Sequence, residues 1–505
     1  MASRGVVAAG HPLTAETGAS ILRSGGNAVD AAVAAVMASF SLESALTGLG
    51  AGGFMIVKAP GSRPVLIDFF VAVPGKGGHE RASELEPVPV HFDAQTTQVF
   101  NAGAASCAVP GAAAGLSDAL GRFGSMDLID LIGPGVEYAR NGAPLNRQQA
   151  YVLKILEPIY TATPEAREIY APDGHILGEG ESFRYPDLAI ALERYAEEGT
   201  DAIYAGETAA ALDSYIRDRG GVLSAEDLAA YGAIERKPVA TTFMGHEILT
   251  NPPPSAGGIL IAYSLALLER IGVCGPIEVT RVMEAASRAR RNDFAENLET
   301  EGFAQEFLSP EALSKALSAD DRLGSTTHLA AMDETGLCAS VTCSNGTGSG
   351  MVVPGTGIHL NNMLGEEDLN PLGFHSASPG SRVSSMMSPT LVQRDGEVLA
   401  GLGSAGSNRI RSAVLQTTIN LLARGMSPQE AVDAPRIHYE KGVLQAEPGI
   451  DRDALDAMKE AGQEVFRWKE KNLFFGGVQV VSRDPATGEL SGGGDPRRGG
   501  AVAHA

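Results

Sequence analysis

The chain has 505 residues, 61 of them glycine, with few aromatic side chains, four cysteines and a single tryptophan, Trp468. That composition suits a tightly turned α/β protein with a large core and is unlike a disordered or fibrous chain. A formal net charge of −22 argues against nucleic acid or anionic membrane as a main partner.

In chain order, Val6 to Ala9 predicts a short strand, and Thr14 to Ser24 a helix stopped by the Gly25-Gly26 pair. Asn27 to Phe40 is a second helix, rich in alanine and so able to pack closely. The glycine-rich loop Gly48 to Met55 leads to strands at Met55 to Lys58 and Val65 to Asp68. Two helices followed by paired strands predict a sheet covered on one face. Residues 75–100 are polar and irregular. From Val109-Pro-Gly111 to about Arg270 the pattern is mainly helical, at Ala112 to Phe123, Leu128 to Asn141, Arg147 to Leu156, Asp187 to Glu198 and Glu207 to Arg219. A fixed Pro-rich turn at Thr250 to Gly258 then enters the apolar helix Ile259 to Ile271. Val279 to Ala295 is again helical. Glu301 to Arg322 is charged, with Phe303, Phe307 and Leu313 scattered through it, and is the expected exposed or mobile segment.

At Gly324 a hairpin opens with three hydroxyl residues, Ser325, Thr326 and Thr327. It alternates as a strand, turns at Glu334 to Gly336 and returns. A hydroxyl at the start of a buried strand can be a nucleophile, and a cut just before it supplies an α-amino group as its base. A plain threonine-rich strand start has the same local pattern. Cys338 and Cys343 fall on the returning strand, where apolar core thiols are expected. A strand pair at Thr390 to Arg394 and Val398 to Leu402, a helix at Arg409 to Ala423, a short helix near Ala454 to Glu460 and a strand at Gly477 to Val481 complete the chain. Strands and helices come in runs without βαβ alternation, so an α+β fold is expected, an antiparallel sandwich of two sheets with helices outside.

No His or Cys spacing marks a metal site, and no cofactor is implied. Gly48-x-Gly50-x-x-Gly53 and Gly401-x-Gly403-x-x-Gly406 both match the dinucleotide fingerprint, and the second lies between a strand and a helix. The first runs into a strand, and neither has a βαβ unit around it. At Gly406 the amides leading into the Arg409 helix form a ready anion site, which in acyl transfer would be an oxyanion hole. A glycine turn without a ligand is the alternative. No Gly-x-Ser-x-Gly elbow occurs, which disfavours an ordinary serine α/β-hydrolase. His328, one residue past Thr327, points to the opposite strand face and is expected to pack or hydrogen-bond. The N-terminus lacks a leader pattern and the longest apolar stretch, Ala31 to Phe40, is too short to span a bilayer. A cytoplasmic location is expected, unless a leader was omitted.

Taken together, Gly25-Gly-Asn-Ala-Val-Asp-Ala-Ala32, Gly48-Leu-Gly-Ala-Gly-Gly-Phe54, Val109-Pro-Gly111, Pro253-Pro-Ser-Ala-Gly-Gly258, Ser325-Thr-Thr-His328, Leu360-Asn-Asn362, Met387-Ser-Pro-Thr390, Gly403-Ser-Ala-Gly-Ser-Asn-Arg-Ile410 and Asp495-Pro-Arg497 resemble the γ-glutamyltranspeptidases from end to end. These belong to the N-terminal nucleophile hydrolases. The resemblance implies a four-layer αββα sandwich, one domain built from both fragments left by self-cleavage between Ser325 and Thr326. The large fragment would be residues 1–325 and the small one 326–505. Thr326 would be the nucleophile, its α-amino group, with a reference pKa near ~8, the base. Ser344 would hydrogen-bond the nucleophile, and Gly406 and Ser407 would supply the oxyanion amides. The implied partners are a small amide substrate and the two fragments themselves as a heterodimer, with a dimer of heterodimers as a larger assembly; neither nucleic acid nor membrane is implied.

The substrate clamp departs from the family pattern. Gapless reading from Pro74 puts His79 where the family has a carboxylate-binding arginine, with Lys76 and Arg81 near. The serine pair falls on Ser385 and Met386, or on Ser384 and Ser385 with a one-place shift. The positions that hold the α-amino group carry Met363 and Glu366, and Asn345 is the amide contact by position. The acyl-transfer residues are thus retained while the γ-glutamyl clamp is weakened, since His or Lys cannot reproduce a bidentate arginine. A γ-glutamyl amide such as glutathione, another carboxylate-bearing amide of glutaryl or oxamate type, and an inactive binding homologue are the readings this leaves.

Overall fold

A computed structural model describes residues 4–91, 97–290, 294–298, 300–314 and 327–505. Among these, thirteen strands form two principal sheets. In chain order they are β1 (Gly5–Ala9), β2 (Gly52–Lys58), β3 (Val65–Phe69), β4 (Ile234–Arg236), β5 (Val239–Phe243), β6 (His246–Thr250), β7 (Thr327–Asp333), β8 (Cys338–Ser344), β9 (Thr390–Arg394), β10 (Glu397–Ala405), β11 (Gly477–Arg483), β12 (Leu490–Gly494) and β13 (Ala501–His504). The first sheet runs β13-β1-β7-β8-β2-β3-β4 and the second β12-β11-β10-β9-β6-β5. Every pairing within them is antiparallel. Each sheet takes strands from both sides of residue 326.

Side-chain alternation sets the layers. On the first sheet Val7, Met55, Ile67, Leu329 and Ala331 face helices, whereas Val6, Phe54, Leu66, Ala330 and Met332 face Leu391, Val398 and Val481 of the second sheet. Helices α1 (Pro12–Arg23) and α2 (Ala28–Leu42) cover the outer face of the first sheet, and α2 is buried along its whole length. Its alanines allow this close burial, and Asn27 with Asp30 closes its start as a capping box. Helices Ala256–Ile271 and Arg409–Leu422 cover the second sheet through Ile248, Val392, Leu402 and Val480, and Pro276–Ala289 packs on the first of them. The result is the four-layer αββα sandwich.

Several local expectations are revised. The stretch read as mainly helical up to Arg270 contains β4 and the β5–β6 hairpin, whose turn uses Met244 (φ 51°) and Gly245 (φ 72°). Both central residues are left-handed, as a tight hairpin requires. Within the region read as irregular, Glu86–His91 pairs with Thr97–Ala102. The predicted helix Leu128 to Asn141 divides into Leu128–Leu131 and Gly133–Asn141 at Gly133-Pro134. The described part of the segment expected to be exposed is exposed to half-buried over residues 301–310, and it adds two short helices, Phe303–Phe307 and Pro310–Ser314, with Phe303 and Phe307 packing on Phe294 and Phe307 meeting Tyr263. Residues 315–322 of that segment lie outside the described residues.

Four of the six fingerprint glycines sit where a Cβ has no room, within 2.5 Å of a neighbouring atom. Gly401 and Gly403 lie inside antiparallel β10, where a Cβ would stand 2.5 Å from Cys338 Sγ and 2.4 Å from the His328 ring. At Gly50 and Gly53 a Cβ would reach 2.1 Å from the His359 and Thr342 carbonyl oxygens. Cys338 and Cys343 are buried on β8 as expected. No helix among the described residues is long and apolar enough to cross a membrane.

Candidate active site

Ser325 and Thr326 lie outside the described residues, and the description resumes at Thr327, the first residue of β7. Thr327 stands opposite Cys343 of β8, and its side chain turns toward the helices. Its hydroxyl donates to Glu43 Oε2 at 2.8 Å, while Thr14 Oγ1 donates to Oε1 at 3.1 Å. Glu43 caps the C-terminal end of α2 and is 2 % exposed. Burial pushes its carboxyl up to about 6, against the two threonine hydrogen bonds and the positive Arg498, which pull it down. His328 faces the other way, into the sandwich. Its Nδ1 meets Thr342 Oγ1 at 2.8 Å beneath Gly403, and burial holds the imidazole down to about 3, so it packs as a neutral ring.

Ser344 ends β8, and its Oγ accepts the Gly346 amide at 2.8 Å. Asn345 is 1 % exposed, and its Nδ2 donates to the His359 carbonyl at 3.3 Å. The loop after it needs Gly346 (φ +68°), since a Cβ there would lie 2.1 Å from Asn362 Oδ1 and 2.5 Å from Glu366 Oε1. Asn362 Oδ1 accepts the Thr347 amide and Asn361 Nδ2 donates to the Gly50 and Ala108 carbonyls, so the asparagine pair is scaffold. Glu366 is buried beside this loop. Met363 instead joins the inter-sheet core with Val383 and Met387.

β10 ends in Ala405, and the next two residues are left-handed, Gly406 at φ +118° and Ser407 at φ +54°. Two residues later the helix Arg409–Leu422 begins. Successive amides in this conformation, at a helix N-terminus, make an anion-binding concavity. A left-handed serine costs about 1–2 kcal/mol. The Ser407 hydroxyl offsets part of that by donating to Asp368 Oδ2 at 3.1 Å. Asn408 Nδ2 bridges Asp368 Oδ1 at 3.1 Å and Glu440 Oε1 at 2.9 Å, and Arg290 donates to Asn408 Oδ1 at 3.1 Å. A Cβ on Gly406 would lie 2.9 Å from Gly476 Cα and 3.4 Å from an Arg498 nitrogen. Glycine there keeps the turn against its neighbours.

The clamp residues sit on a second set of segments. Ala72 and Val73 pair with Arg382 and Ser381, which sets the loop starting at Gly75 beside Pro379 and Gly380. Asp227 anchors that loop by accepting the Gly75 and Lys76 amides. Ser385 is fully buried, with Oγ accepting the Met387 amide at 3.1 Å, while Ser384 is half-buried. Lys76 packs along Gly380, and Arg81 acts electrostatically on His375, whose imidazole burial and Arg81 hold down to about 4. His79 is exposed and makes no hydrogen bond with the described residues. Of the three basic side chains near the expected arginine position, Lys76 and Arg81 are brought against the Pro371 to Ser381 loop.

Residues 14–505 match the family model described as gamma-glutamyltranspeptidase. The chain belongs to the γ-glutamyltranspeptidase family. It is 31 % identical to the glutathione hydrolase proenzyme of Escherichia coli (strain K12) over 98 % of this chain and 91 % of that protein. It is 32 % identical to the acylase ACY 1 proenzyme of Pseudomonas sp. (strain SE83), over 97 % and 91 %. Its fold is similar to the crystal structure of cephalosporin acylase from Bacillus halodurans, with a TM-score of 0.86 at 26 % identity over 99 % of this chain and 96 % of that one.

In this member of the γ-glutamyltranspeptidase family, three side chains that the motifs did not single out lie around Thr327 and the Gly406–Ser407 turn. Glu43, Asp368 and Arg498 come from distant parts of the sequence. Glu43 had one legible signal, an acidic residue directly after an apolar helix, where the helix dipole disfavours it.

Proposed function

We propose that the chain cleaves itself between Ser325 and Thr326 and that Thr326 is then the nucleophile of an amide hydrolase or acyltransferase. Its α-amino group takes the hydroxyl proton, the oxygen adds to the amide carbonyl, and the amine leaves with that proton. The resulting threonyl ester passes its acyl group to water or to an amine. Ser344 would hold the nucleophile, and the Gly406 and Ser407 amides would receive the oxyanion. The observation that carries this reading is the Gly406–Ser407 turn, two left-handed residues tied to Asp368 at a helix start.

The substrate is proposed to be a γ-glutamyl amide of glutathione type, with the acyl carboxylate held by Ser384, Ser385 and a basic group of the 76–81 loop, His79 being the positional candidate. Asn345 and Glu366 would face the α-amino side. A second reading, an acylase acting on a glutaryl- or oxamate-type amide, is favoured by Met363, which closes with core residues a place that the α-amino group would need to be polar. The 32 % identity to an acylase proenzyme supports it as well.

The test has two parts. Purified protein is expected to resolve into two fragments on a denaturing gel, the smaller beginning with Thr326, while Thr326→Ala stays whole; a wild-type chain that stays whole and releases no amine from any amide overturns the proposal. Release of the aromatic amine from γ-glutamyl and glutaryl anilides then separates the two substrate readings.

A further inference from the structure

We infer that Glu43 is a positioning residue for this reaction, fixing through Thr327 the start of β7. The inference deepens the proposed function and rests on it.

The ladder explains why such an anchor is needed. β1 pairs with β7 only from Ala330 to Asp333, so residues 327–329 are hydrogen-bonded as strand on the β8 side alone. On the face toward the helices the Thr327 hydroxyl is held by the Glu43 carboxylate, which is itself held by Thr14 of α1. The neighbouring backbone leaves room for it. A Cβ on Gly10 would stand 2.4 Å from Glu43 Oε2 and 3.4 Å from Thr327 Oγ1, so a side chain there would displace the carboxylate.

Glu43 also breaks two rules of local stability. It puts a negative group at the C-terminal end of a helix and buries it completely. Violations of this kind gather at functional positions. Arg498 gives the violation a use: its charge acts on Glu43, and its guanidinium lies against Gly406. One cation thus lies between the strand start and the Gly406–Ser407 turn, close enough to Glu43 for its charge to be felt there.

Among the described residues, Arg498 acts on Glu43 directly, and the elements next to it carry His11 at the start of α1, Cys343 across from Thr327 and Tyr160, whose hydroxyl donates to the Ala45 carbonyl. Burial holds His11 down to about 4 and Cys343 up to about 12, raises Tyr160 far above its ordinary value, and lowers Arg498 to about 9. Glu43 is the member of this group that changes charge near pH 6.

The test compares Glu43→Gln, Thr327→Ser and Thr327→Val with wild type, following self-cleavage rate and the pH profile of kcat/KM on an anilide. Glu43→Gln is expected to slow both steps roughly tenfold, the size of one lost charged hydrogen bond, and to remove the inflection near pH 6 from the acid limb. Thr327→Ser should stay within about twofold of wild type, and Thr327→Val should fall with Glu43→Gln. Wild-type rates and an unchanged inflection in Glu43→Gln overturn the inference. Where Glu43→Gln does not fold, equal rates for Thr327→Ser and Thr327→Val overturn it. A wild type that never cleaves overturns the proposed function as well, whereas a wild type that cleaves alongside an equally active Glu43→Gln sinks the inference alone.

Discussion

Glu43→Gln should make the protein more stable at neutral pH even as it impairs the reaction. Glutamine copies the shape of the protonated carboxyl and keeps an acceptor for one threonine hydroxyl, so the exchange isolates the cost of the charge. The carboxyl rises from 4.5 to about 6 on folding. At 1.36 kcal/mol per pKa unit, that difference makes ionised Glu43 cost the folded state about 2 kcal/mol. The sign follows from proton binding. Well below about pH 4.5 the group is protonated in both states and contributes nothing; between there and about pH 6 the unfolded chain loses its proton first, so stability falls as pH rises; above about 6 the full penalty applies. Urea unfolding of both proteins at pH 5 and pH 8, followed by circular dichroism, should show the variant's advantage widening by roughly 1 kcal/mol between the two, since part of the penalty is already present at pH 5. An advantage that stays flat or shrinks with rising pH would refute the reasoning.

Four further substitutions, at three positions, test other parts of the structure. Ser407→Gly relieves a left-handed serine and loses the Asp368 bond, two opposed effects of about 1 kcal/mol, so kcat should stay within about threefold. Ser407→Val cannot keep that backbone and should lower kcat by about 10²-fold through the displaced amide, as read in steady-state assays. Gly53→Ala puts a methyl carbon 2.1 Å from the Thr342 carbonyl oxygen, between β2 and β8. The ladder must part, and a loss of more than about 3 kcal/mol, seen as little folded protein in the purified yield, is expected. Asp495→Ala leaves Arg436 and Arg497 without the buried carboxylate they approach at 2.7 and 3.1 Å. It should cost about 3–5 kcal/mol in denaturant unfolding with little change in KM.

The two-sheet architecture was legible because its signals are local. Alternation on either side of Glu334 to Gly336 defines the β7–β8 hairpin, and the capped, alanine-rich run after Asn27 defines α2. The β5–β6 hairpin was missed because its strands are five residues each and its turn, Met244-Gly245, is not one of the common asparagine or aspartate turns. Phe303 and Phe307 looked scattered because the residues they pack on, Tyr263 and Phe294, belong to other helices. The Gly406–Ser407 turn could be found from glycine placement. Its support could not, since the union of Asp368 with Ser407, or of Glu43 with Thr327 and Arg498, depends on the tertiary fold.

The interlacing of the first sheet has a mechanical consequence. β7 and β8 stand between β1 and β2, and β13 closes the edge beyond β1. A cut ahead of β7 would leave a second chain clasped on both flanks by the first. Separating them would mean breaking the β1–β7, β2–β8 and β1–β13 ladders and opening the inter-sheet core in one event, with no flat interface to peel apart. Dilution could part the halves only through unfolding. Mixed with a tagged copy, the cut protein should swap halves no faster than it unfolds.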